Sequence, residues 1–546
     1  MKESTNVKAG AATTAWMTRH RTMWLVLAVG CLAAFVDVVV AGRSGLWMDE
    51  VFSLAMATGH SLNYPVRIAD AKQRDFLEPK HPIPADEFRR YLEHDDPSCG
   101  PRRVIRAVSL SGGAPPLYYL LLYGWTIALG TSDIVLRLFS VTCFLACLPF
   151  VASIARRLGG SRAVFPSCAL FAFSPLTIYF ATEGRMYSLL LLCVLAVMWA
   201  SLLLKEDGGS LSIGAVWVIF SAAGFLTQYF FAFPWLGIVA YLLIDRGRFS
   251  RLNLAMCLFL TMALILPWYV KLPSGLANWR VTFDWLKLQP AGFDRTMALL
   301  ETPVRFFSGR SQLWWNTEHE AVNPAALILF AIIAFIAAWR LRLQVFGGAR
   351  LLLWFVFGAA CLGPVVFDLI HHTYTIGYPR YSIAALPSAY LLAGLGLASL
   401  ERRIMLIGLT LIVLTWVPDI SSIYRERLPL WPMREIARAA SVGSGPSDLI
   451  LVHAMPSELV GIARYTTGPA PVASWVAPWV GPRWTRRAPE LVYPLVAGRT
   501  RVVFLRDVAE AAPEETWLRA NAVVSRDIRM GWYRILDFRP INSKTF

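Results

Sequence analysis

The stretch MYSLLLLCVLAVMWASLLL, residues 186–204, carries no charged side chain. A helix of this length rises about 1.5 Å per residue, which matches the roughly 30 Å hydrocarbon core of a lipid bilayer. Stretches of the same kind recur along the chain and predict eleven membrane spans. The predicted spans are residues 23–42, 133–155, 163–181, 186–204, 211–227, 229–244, 252–270, 322–338, 351–370, 381–400 and 404–418.

The composition excludes a soluble globular protein. Hydrophobic residues make up 56% of the 546 residues, charged residues only 16%, and the mean hydropathy is +0.50. One soluble core cannot bury that much apolar surface, so we predict an all-α polytopic membrane bundle. Seven of the eight cysteines fall in predicted spans, which leaves Cys99 alone outside them and predicts no disulfide framework.

The net charge of +16 indicates membrane orientation rather than nucleic-acid binding. Lysines and arginines concentrate in links that the predicted spans place on one side, and such links face the cytoplasm. They are Lys2, Lys8, Arg19, Arg21, Arg156, Arg157, Arg162, Lys205, Arg246, Arg248, Arg251, Arg340, Arg342, Arg350, Arg402 and Arg403. The prediction therefore has a cytoplasmic N-terminus, a retained first span and no nucleic-acid partner.

This orientation requires that the apolar stretch 115–130 does not cross the membrane. The stretch is short for a span, opens with two prolines and is rich in aromatic residues, so it is typical of a helix that lies in the outer interface. It closes a long polar outer loop, residues 43–132, and a second outer region rich in tryptophan covers residues 271–321.

The composition changes sharply after residue 418, which divides the chain into a transmembrane domain, residues 1–418, and an extracytoplasmic tail, residues 419–546. In the tail, strand-like and helix-like segments alternate, which predicts a small soluble α/β domain. The strand-like segments are residues 449–453, 501–505 and 533–538, and the helix-like segments are residues 431–440 and 515–520.

Two adjacent acids, Asp49 and Glu50, follow the outer end of the first span. Adjacent carboxylates repel each other, so one can act as a base while the other orients a group or binds a metal. The alternative is structural, because acids in the first turn of a helix are stabilised by its dipole, and an amphipathic run follows at residues 51–57.

Several other charged residues lie at the outer ends of spans. Arg137 opens the second span and could hold a phosphate in a bidentate grip, or could anchor the helix end instead. Glu183 and Arg185 occupy the tight turn between the third and fourth spans, where they could line a pocket or simply pair with each other. Asp37 lies inside the first span, where a buried acid needs a partner.

The end of the ninth predicted span offers a weak candidate for a metal site. Asp368 and His372 are spaced four residues apart and could share a helical face as ligands, or could be polar caps at a span end. Arg380, shortly after them, is a better candidate for contacting an anion.

Taken together, these segments resemble the bacterial members of glycosyltransferase family 39, the relatives of protein O-mannosyltransferases and of the lipid A aminoarabinose transferase. The shared landmarks are Trp47-Met48-Asp49-Glu50, Ala114-Pro115-Pro116-Leu117-Tyr118-Tyr119, Leu136-Arg137-Leu138, Glu183-Gly184-Arg185-Met186-Tyr187 and Arg380-Tyr381. Two positions depart from the family pattern. Ala114 replaces a histidine before the double proline, and Gly184 replaces an alanine.

The resemblance implies a GT-C architecture in which a single sugar passes, with inversion, from a polyprenyl-phosphate donor to an envelope lipid, glycan or protein acceptor at the outer face of the bacterial cytoplasmic membrane. It implies Asp49 and Glu50 as the catalytic acids, and Arg137, Arg185 and Arg380 as donor-phosphate contacts. Glu183, Tyr187 and Tyr381 would support the pocket. No cofactor is certain, and a divalent metal remains an option.

Three other functions compete with this interpretation. A lipid-linked polysaccharide ligase or polymerase of similar architecture would use a pyrophosphate-linked glycan. A secondary transporter would be expected to show inverted repeats and polar groups deep in the bilayer, whereas here they gather at one face. A non-enzymatic membrane scaffold explains the tail but gives the acids and Arg137 no role.

Overall fold

A computed structural model describes most of the chain. The described residues are 2–62, 70–111, 113–208, 210–244, 249–273, 284–287, 294–308, 346–425, 432–475, 488–507, 512–541 and 545–546, with a few single positions between 289 and 339. The side chains of residues 2–21 are not among them. Two compact units are present. The first comprises residues 1–41, 137–270 and 283–425, and the second comprises residues 42–136, 271–282 and 426–546.

Helices dominate the described chain. In chain order they are α1 (Lys2–Ala41), α2 (Met48–Ala57), α3 (Ala85–Arg89), α4 (Pro101–Ser111), α5 (Leu117–Leu129), α6 (Asp133–Leu145), α7 (Cys147–Gly159), α8 (Ser161–Phe173), α9 (Pro175–Ala181), α10 (Tyr187–Asp207), α11 (Leu211–Phe225), α12 (Ala232–Ile244), α13 (Arg251–Tyr269), α14 (Asp284–Lys287), α15 (Arg295–Ser308), α16 (Leu351–His371), α17 (Pro379–Ser382), α18 (Leu386–Ala398), α19 (Arg402–Arg425), α20 (Met433–Ser441), α21 (Pro456–Tyr465), α22 (Ala488–Val496) and α23 (Pro513–Asn521).

Five strands form the sheet of the described chain: β1 (Asp448–His453), β2 (Val472–Trp475), β3 (Arg501–Asp507), β4 (Ala522–Met530) and β5 (Tyr533–Pro540).

The described helices confirm a multi-pass membrane protein. Seven stretches are long and apolar enough to span a bilayer, and the bent pair α8 and α9 would make eight. The predicted spans 211–227 and 229–244 correspond to shorter apolar helices, as does the predicted interfacial stretch 115–130. The predicted span 322–338 lies almost entirely outside the described residues.

The third predicted span is broken at Ser174. A residue before proline avoids helical geometry, and Ser174 is extended, with its hydroxyl accepting from the backbone N–H of Thr177 to start α9 after Pro175. The two helices meet at 61°. Ser174 also hydrogen-bonds the Tyr390 hydroxyl, which fixes the bend inside the first compact unit.

Close helix packing in the first unit depends on small residues. A Cβ added at Gly394 of α18 would lie 2.1 Å from the Ser167 Oγ and 2.7 Å from the Ser167 Cα in α8.

Hydrogen bonds hold the C-terminal end of α15. The Tyr390 hydroxyl donates to the Phe306 carbonyl at 2.7 Å, and the Trp416 indole donates to the Phe307 carbonyl at 2.7 Å. These two bonds hold α15 against α18 and α19.

In the second unit, the sheet has the order β2-β1-β3-β5-β4. β1 pairs in parallel with β2 and β3, and every residue of β1 is buried, as is usual for the centre of a parallel sheet. β5 joins β3 and β4 in antiparallel fashion. The buried apolar face of the sheet packs with side chains of α22 and α23.

The tail therefore contains the predicted α/β fold, with elements that sequence patterns did not reveal. The predicted strands and helices correspond to β1, β3, β5, α20 and α23, while β2, β4, α21 and α22 were missed. The second unit also joins the tail to the outer loop. Ile83 forms a β-bridge to Val472, and the Arg89 guanidinium donates to the Thr466 carbonyl at 2.6 Å. The predicted boundary after residue 418 falls inside α19.

Candidate active site

Arg137 is the most deeply buried cation among the predicted site residues. It lies on α6 with none of its surface exposed, and its Nη1 donates to the Ala41 carbonyl at 2.8 Å. Ala41 is the last residue of α1, where helix carbonyls lack partners within the helix. The bond satisfies one such carbonyl and fixes the direction of the guanidinium. A snorkelling anchor would instead reach into solvent.

The turn that carries Glu183 and Arg185 lies against the same helix. Ser140, one helical turn beyond Arg137, donates its hydroxyl to the Arg185 carbonyl at 3.2 Å. Residues three apart on a helix share a face, so the turn lies on the Arg137 side of α6. Glu183 is buried and Arg185 is partly exposed. The first compact unit thus brings these three predicted site residues together.

The aromatic landmark of this turn has a packing role. Tyr187 is buried at the start of α10, and its ring meets the Phe180 ring edge-on with centroids 4.8 Å apart. A backbone bond from the Arg185 N–H to the Glu183 carbonyl, 2.7 Å long, tightens the turn further. These contacts hold the turn in one conformation.

Arg380 lies between two tyrosines. Its guanidinium carbon is 5.8 Å from the Tyr378 ring centroid and 5.4 Å from that of Tyr381, within the range of a cation–π contact. The Tyr381 ring in turn packs on Phe230 with centroids 4.8 Å apart. Arg380 is 9% exposed, so aromatic faces supply part of the environment of a charge that is largely removed from water.

Asp368 organises the turn that precedes Arg380. Its Oδ1 accepts from the Thr373 hydroxyl and from the Thr375 hydroxyl and N–H at 2.6–2.7 Å, and its Oδ2 accepts from the Ile376 N–H at 2.9 Å. The turn is also held from α15, since the Arg305 Nη1 donates to the Gly377 carbonyl at 3.0 Å. These bonds favour the structural interpretation of Asp368.

The other half of the proposed metal pair is oriented differently. His372 is exposed and caps the end of α16 in a left-handed conformation with φ of 54°, so it has left the helical face that carries Asp368. Across the described residues, no group of three or more His, Cys, Asp or Glu side chains could hold a metal ion.

The two adjacent acids, in the second compact unit, differ in environment. Glu50 is fully buried, and its Oε2 accepts from the Trp47 N–H at 3.3 Å, which closes the first turn of α2. Asp49 is partly exposed, and its backbone carbonyl accepts from the Ser53 hydroxyl at 3.0 Å. Glu50 therefore fits the structural interpretation as a helix-capping acid, whereas Asp49 keeps part of its surface exposed.

Sequence reasoning missed a cluster that holds the segment before these acids. The Asp133 carboxylate accepts from Arg434, Arg464 and Tyr465, and all four residues belong to the second unit. One signal was available, because an acid at the start of a predicted span needs a partner. The partners come from the tail, whose sequence gives no sign of them.

Part of the chain that carries these residues matches a known protein family. Residues 113–270 match the family model of dolichyl-phosphate-mannose-protein mannosyltransferases. This stretch contains Arg137 and the turn with Glu183 and Arg185, so the predicted family resemblance is confirmed there. A comparison with curated protein sequences gives no match.

The fold of the whole chain is similar to that of ArnT from Cupriavidus metallidurans. The apo structure of ArnT superposes with a TM-score of 0.60 at 14% identity, over 98% of this chain and 99% of that one. The structure of ArnT bound to undecaprenyl phosphate gives the same score and identity over 96% and 99%. The predicted fold, a GT-C membrane bundle with a small α/β domain, is confirmed.

Proposed function

We propose that this chain is an integral-membrane glycosyltransferase. It transfers a single sugar from a polyprenyl-phosphate donor to an acceptor at the outer face of the cytoplasmic membrane, with inversion of the anomeric centre. Two findings support this function. The matched family, by its description, uses a dolichyl-phosphate sugar, and a protein of the same fold has been crystallised with undecaprenyl phosphate.

The observation that carries the proposal is the burial of Arg137. A cation inside a membrane bundle costs roughly 2.5–3.5 kcal/mol at a helix centre and less toward the helix ends, so buried cations in spans are usually retained for function. A guanidinium presents a planar fork of N–H donors that matches phosphate oxygens. The Ala41 carbonyl occupies one nitrogen of Arg137 and fixes the direction of the group. In the proposed site, Arg137 binds the donor phosphate.

Arg185 and Arg380 complete the proposed phosphate site. Arg185 is tied to the Arg137 helix through Ser140. Arg380 is held between two tyrosine rings, whose faces attract a cation. Positive charge fixed before the reaction stabilises the phosphate as it leaves, since no reorganisation is needed at that moment.

Asp49 is the proposed general base. The acceptor hydroxyl attacks the anomeric carbon while its proton passes to the Asp49 carboxylate. The bond from that carbon to the phosphate oxygen breaks, and the bonding electrons leave with the polyprenyl phosphate. Attack opposite the leaving group inverts the centre in one step. Glu50 holds the start of α2 through its bond to Trp47 and so orients its neighbour.

This function implies a topology. The outer-face chemistry requires that the second compact unit, which carries Asp49, lies outside the cytoplasm. The basic links of the span bundle then face the cytoplasm, in agreement with the positive-inside rule. We propose the bacterial inner membrane as the location, with the N-terminus inside and the tail outside.

The function is tested with the purified full-length chain in nanodiscs. Radiolabelled polyprenyl-monophosphate hexose and pentose donors are incubated with envelope extract as the acceptor source. We expect transfer by the wild type and loss of at least about a hundredfold in Asp49→Asn, in line with general-base contributions. Asp86→Asn is the matched control, because Asp86 is an exposed acid in the first turn of α3, and it keeps full activity.

A second donor separates this function from a polysaccharide ligase or polymerase. Consumption of a pyrophosphate-linked oligosaccharide, with no use of the monophosphate sugars, would replace the proposal by that competitor. Full activity of a folded Asp49→Asn protein would remove Asp49 from the mechanism.

A further inference from the structure

We infer that the C-terminal tail positions Asp49, through a cluster of Asp133, Arg434, Arg464 and Tyr465 that fixes the segment leading into α2. We name this set the Asp133 cluster. The inference rests on the proposed function for the role of Asp49, and it assigns positioning residues that touch neither donor nor acceptor.

The Asp133 cluster is built around one carboxylate. Its Oδ2 accepts from the Arg434 Nη2 at 2.9 Å and from the Tyr465 hydroxyl at 2.5 Å, and its Oδ1 accepts from the Arg464 Nε at 2.9 Å. The Arg464 Nη2 also donates to the Thr131 carbonyl at 2.7 Å. Hydrogen bonds to a charged group are shorter and roughly twice as strong as neutral ones.

The same side chains bind the backbone just before Asp49 and Glu50. The Tyr465 hydroxyl accepts from the Leu46 N–H at 2.7 Å while it donates to Asp133. The Arg434 Nη2 donates to the Ser44 carbonyl at 3.2 Å. Leu46 is three residues from Asp49, so the cluster reaches the chain immediately ahead of the proposed base.

Packing leaves this segment little room to move. A Cβ added at Gly45 would lie 2.9 Å from the Arg434 Cβ and 3.1 Å from a Tyr465 ring carbon. Leu46 and Trp47 are both buried. The glycine is therefore required by the close approach of the tail to the backbone.

The helix that carries the acids is seated on the tail as well. A Cβ at Gly461 of α21 would lie 2.4 Å from the Met433 Sδ and 3.1 Å from the Val51 Cγ2. Val51 is two residues beyond Asp49 and is fully buried. Contacts on both sides of Asp49 thus come from residues of the tail.

The surroundings of the Tyr465 hydroxyl keep it protonated, so that it donates its hydrogen bond to Asp133. Burial raises the pKa of the Tyr465 hydroxyl far above its ordinary value, and the Asp133 carboxylate adds to this effect. The hydroxyl stays protonated throughout the working range of pH, so the chain of bonds from Asp133 through Tyr465 to the Leu46 N–H is preserved. The Arg434 guanidinium, 5.2 Å from the Tyr465 ring centroid, packs over it.

A base must be held within about 0.5 Å of its productive position to act efficiently. Loosening the segment before α2 would leave donor binding intact and would slow proton removal. The cluster is therefore expected to affect kcat rather than the KM for the donor.

The test uses Tyr465→Phe in the full-length chain, which removes the hydroxyl and keeps the ring. With a polyprenyl-monophosphate sugar as donor, we expect kcat to fall about tenfold, the effect of losing one bond to a charged group, with KM changed less than about twofold. Hydrogen exchange of the peptide that contains the Leu46 N–H should become about tenfold faster. Tyr493→Phe, at an exposed tyrosine of α22, is the control and changes neither.

Asp133→Asn is the second variant, for use whether or not Tyr465→Phe folds. Its effect on kcat should not add to that of Tyr465→Phe, since both variants break the same chain of bonds. A kcat equal to wild type in a folded variant, in a protein that Asp49→Asn inactivates, overturns the inference. A loss of kcat that is accompanied by a general loss of thermal stability, while the exchange rate of the Leu46 N–H stays unchanged, overturns it too.

The exchange measurement separates this inference from the proposed function. If the wild type transfers no sugar from either class of donor, the proposed function fails. Faster Leu46 exchange in Tyr465→Phe would still establish that the cluster holds the segment, and unchanged exchange would refute that independently of any activity.

Discussion

Replacement of Arg137 by methionine separates a phosphate-binding role from a structural one. Methionine keeps the length and much of the apolar volume of the side chain but removes its charge. The Ala41 carbonyl loses a donor 2.8 Å away, which costs about 1–3 kcal/mol. Because the folded protein no longer buries a cation, this loss is offset in part. Thermal unfolding of the variant is therefore measured alongside donor binding, so that a loss of stability is distinguished from weaker binding.

The effect on donor binding distinguishes the two roles of Arg137. A hydrogen bond from a charged group to the donor phosphate contributes about 1.5–3 kcal/mol, and every 1.4 kcal/mol is tenfold. Binding of a polyprenyl-monophosphate sugar should therefore weaken by about one to two orders of magnitude in Arg137→Met. Initial rates over a range of donor concentrations, with direct measurement of donor binding, provide the assay.

Arg157→Met is the matched control for this experiment. Arg157 lies on α7, the next helix, and forms an exposed ion pair with Glu206, of the kind that contributes about 0–1 kcal/mol. Its replacement should leave donor binding unchanged. If Arg137→Met binds the donor as tightly as this control and only loses stability, Arg137 is an anchor and the phosphate site must lie elsewhere.

Three further predictions concern the stability of the fold. His60 is buried just after α2, where its Nδ1 hydrogen-bonds the Thr58 hydroxyl at 3.0 Å. Burial lowers the pKa of His60 to about 4, so the unfolded chain binds its proton first as the pH falls from 6.5, and stability drops by roughly 3 kcal/mol by pH 4. The pH dependence of unfolding should be flatter for His60→Gln over that window, and an equal slope would contradict this account. Asp368→Asn should lower the free energy of unfolding by about 1–3 kcal/mol, because the N–H₂ of the amide would face a backbone N–H donor. Chemical unfolding measures this change, and unchanged stability would show that the turn does not depend on the carboxylate. Gly394→Ala should lower the free energy of unfolding by about 1–3 kcal/mol or more, because its Cβ would meet the Ser167 backbone. Gly358→Ala is the control, since a Cβ there meets open space, and it should leave stability unchanged. Equal melting temperatures of the two variants would refute the packing argument.

The spans could be predicted because a membrane helix is defined by local composition. Length and the lack of charge suffice, so the stretch 186–204 and the helix α10 agree within three residues at either end. The bend at Ser174 was missed, although the following proline signals it. The span 163–181 was assigned as one helix because its hydropathy alone is continuous.

The tail was harder to predict because its fold depends on distant pairing. β1 is buried along its whole length and is recognisable as an apolar run. β4 lies at the edge of the sheet with charged residues on its exposed face, and β2 has only four residues, so neither has a clear pattern. The pairing of Ile83 with Val472 joins two parts of the chain that no local period connects.

In the candidate site, too, local sequence features could be predicted, whereas contacts between distant parts of the chain could not. Arg137, Glu183 and Arg185 were recognised as charges at span ends, and α6 brings them together through Ser140. The sequence indicates that Asp133 needs a partner, but it does not identify Arg434, Arg464 and Tyr465, which come from the distant tail. Single charged residues can thus be predicted because they are costly to place in a membrane span. The residues that hold them in position can be identified only from the folded structure.

The adjacent acids illustrate why one side chain alone is suited to proton transfer. Two carboxylates on consecutive helical residues point about 100° apart, so a single pocket cannot use both in the same way. Glu50 is fully buried, and its Oε2 accepts from the Trp47 N–H at the first turn of α2. Asp49 is partly exposed, and the proposed mechanism needs such exposure for the approach of an acceptor hydroxyl. Glu50→Gln should therefore reduce activity through the position of α2, and Asp49→Asn through the loss of the base. If Glu50→Gln abolished transfer while Asp49→Asn kept it, the two roles would have to be exchanged.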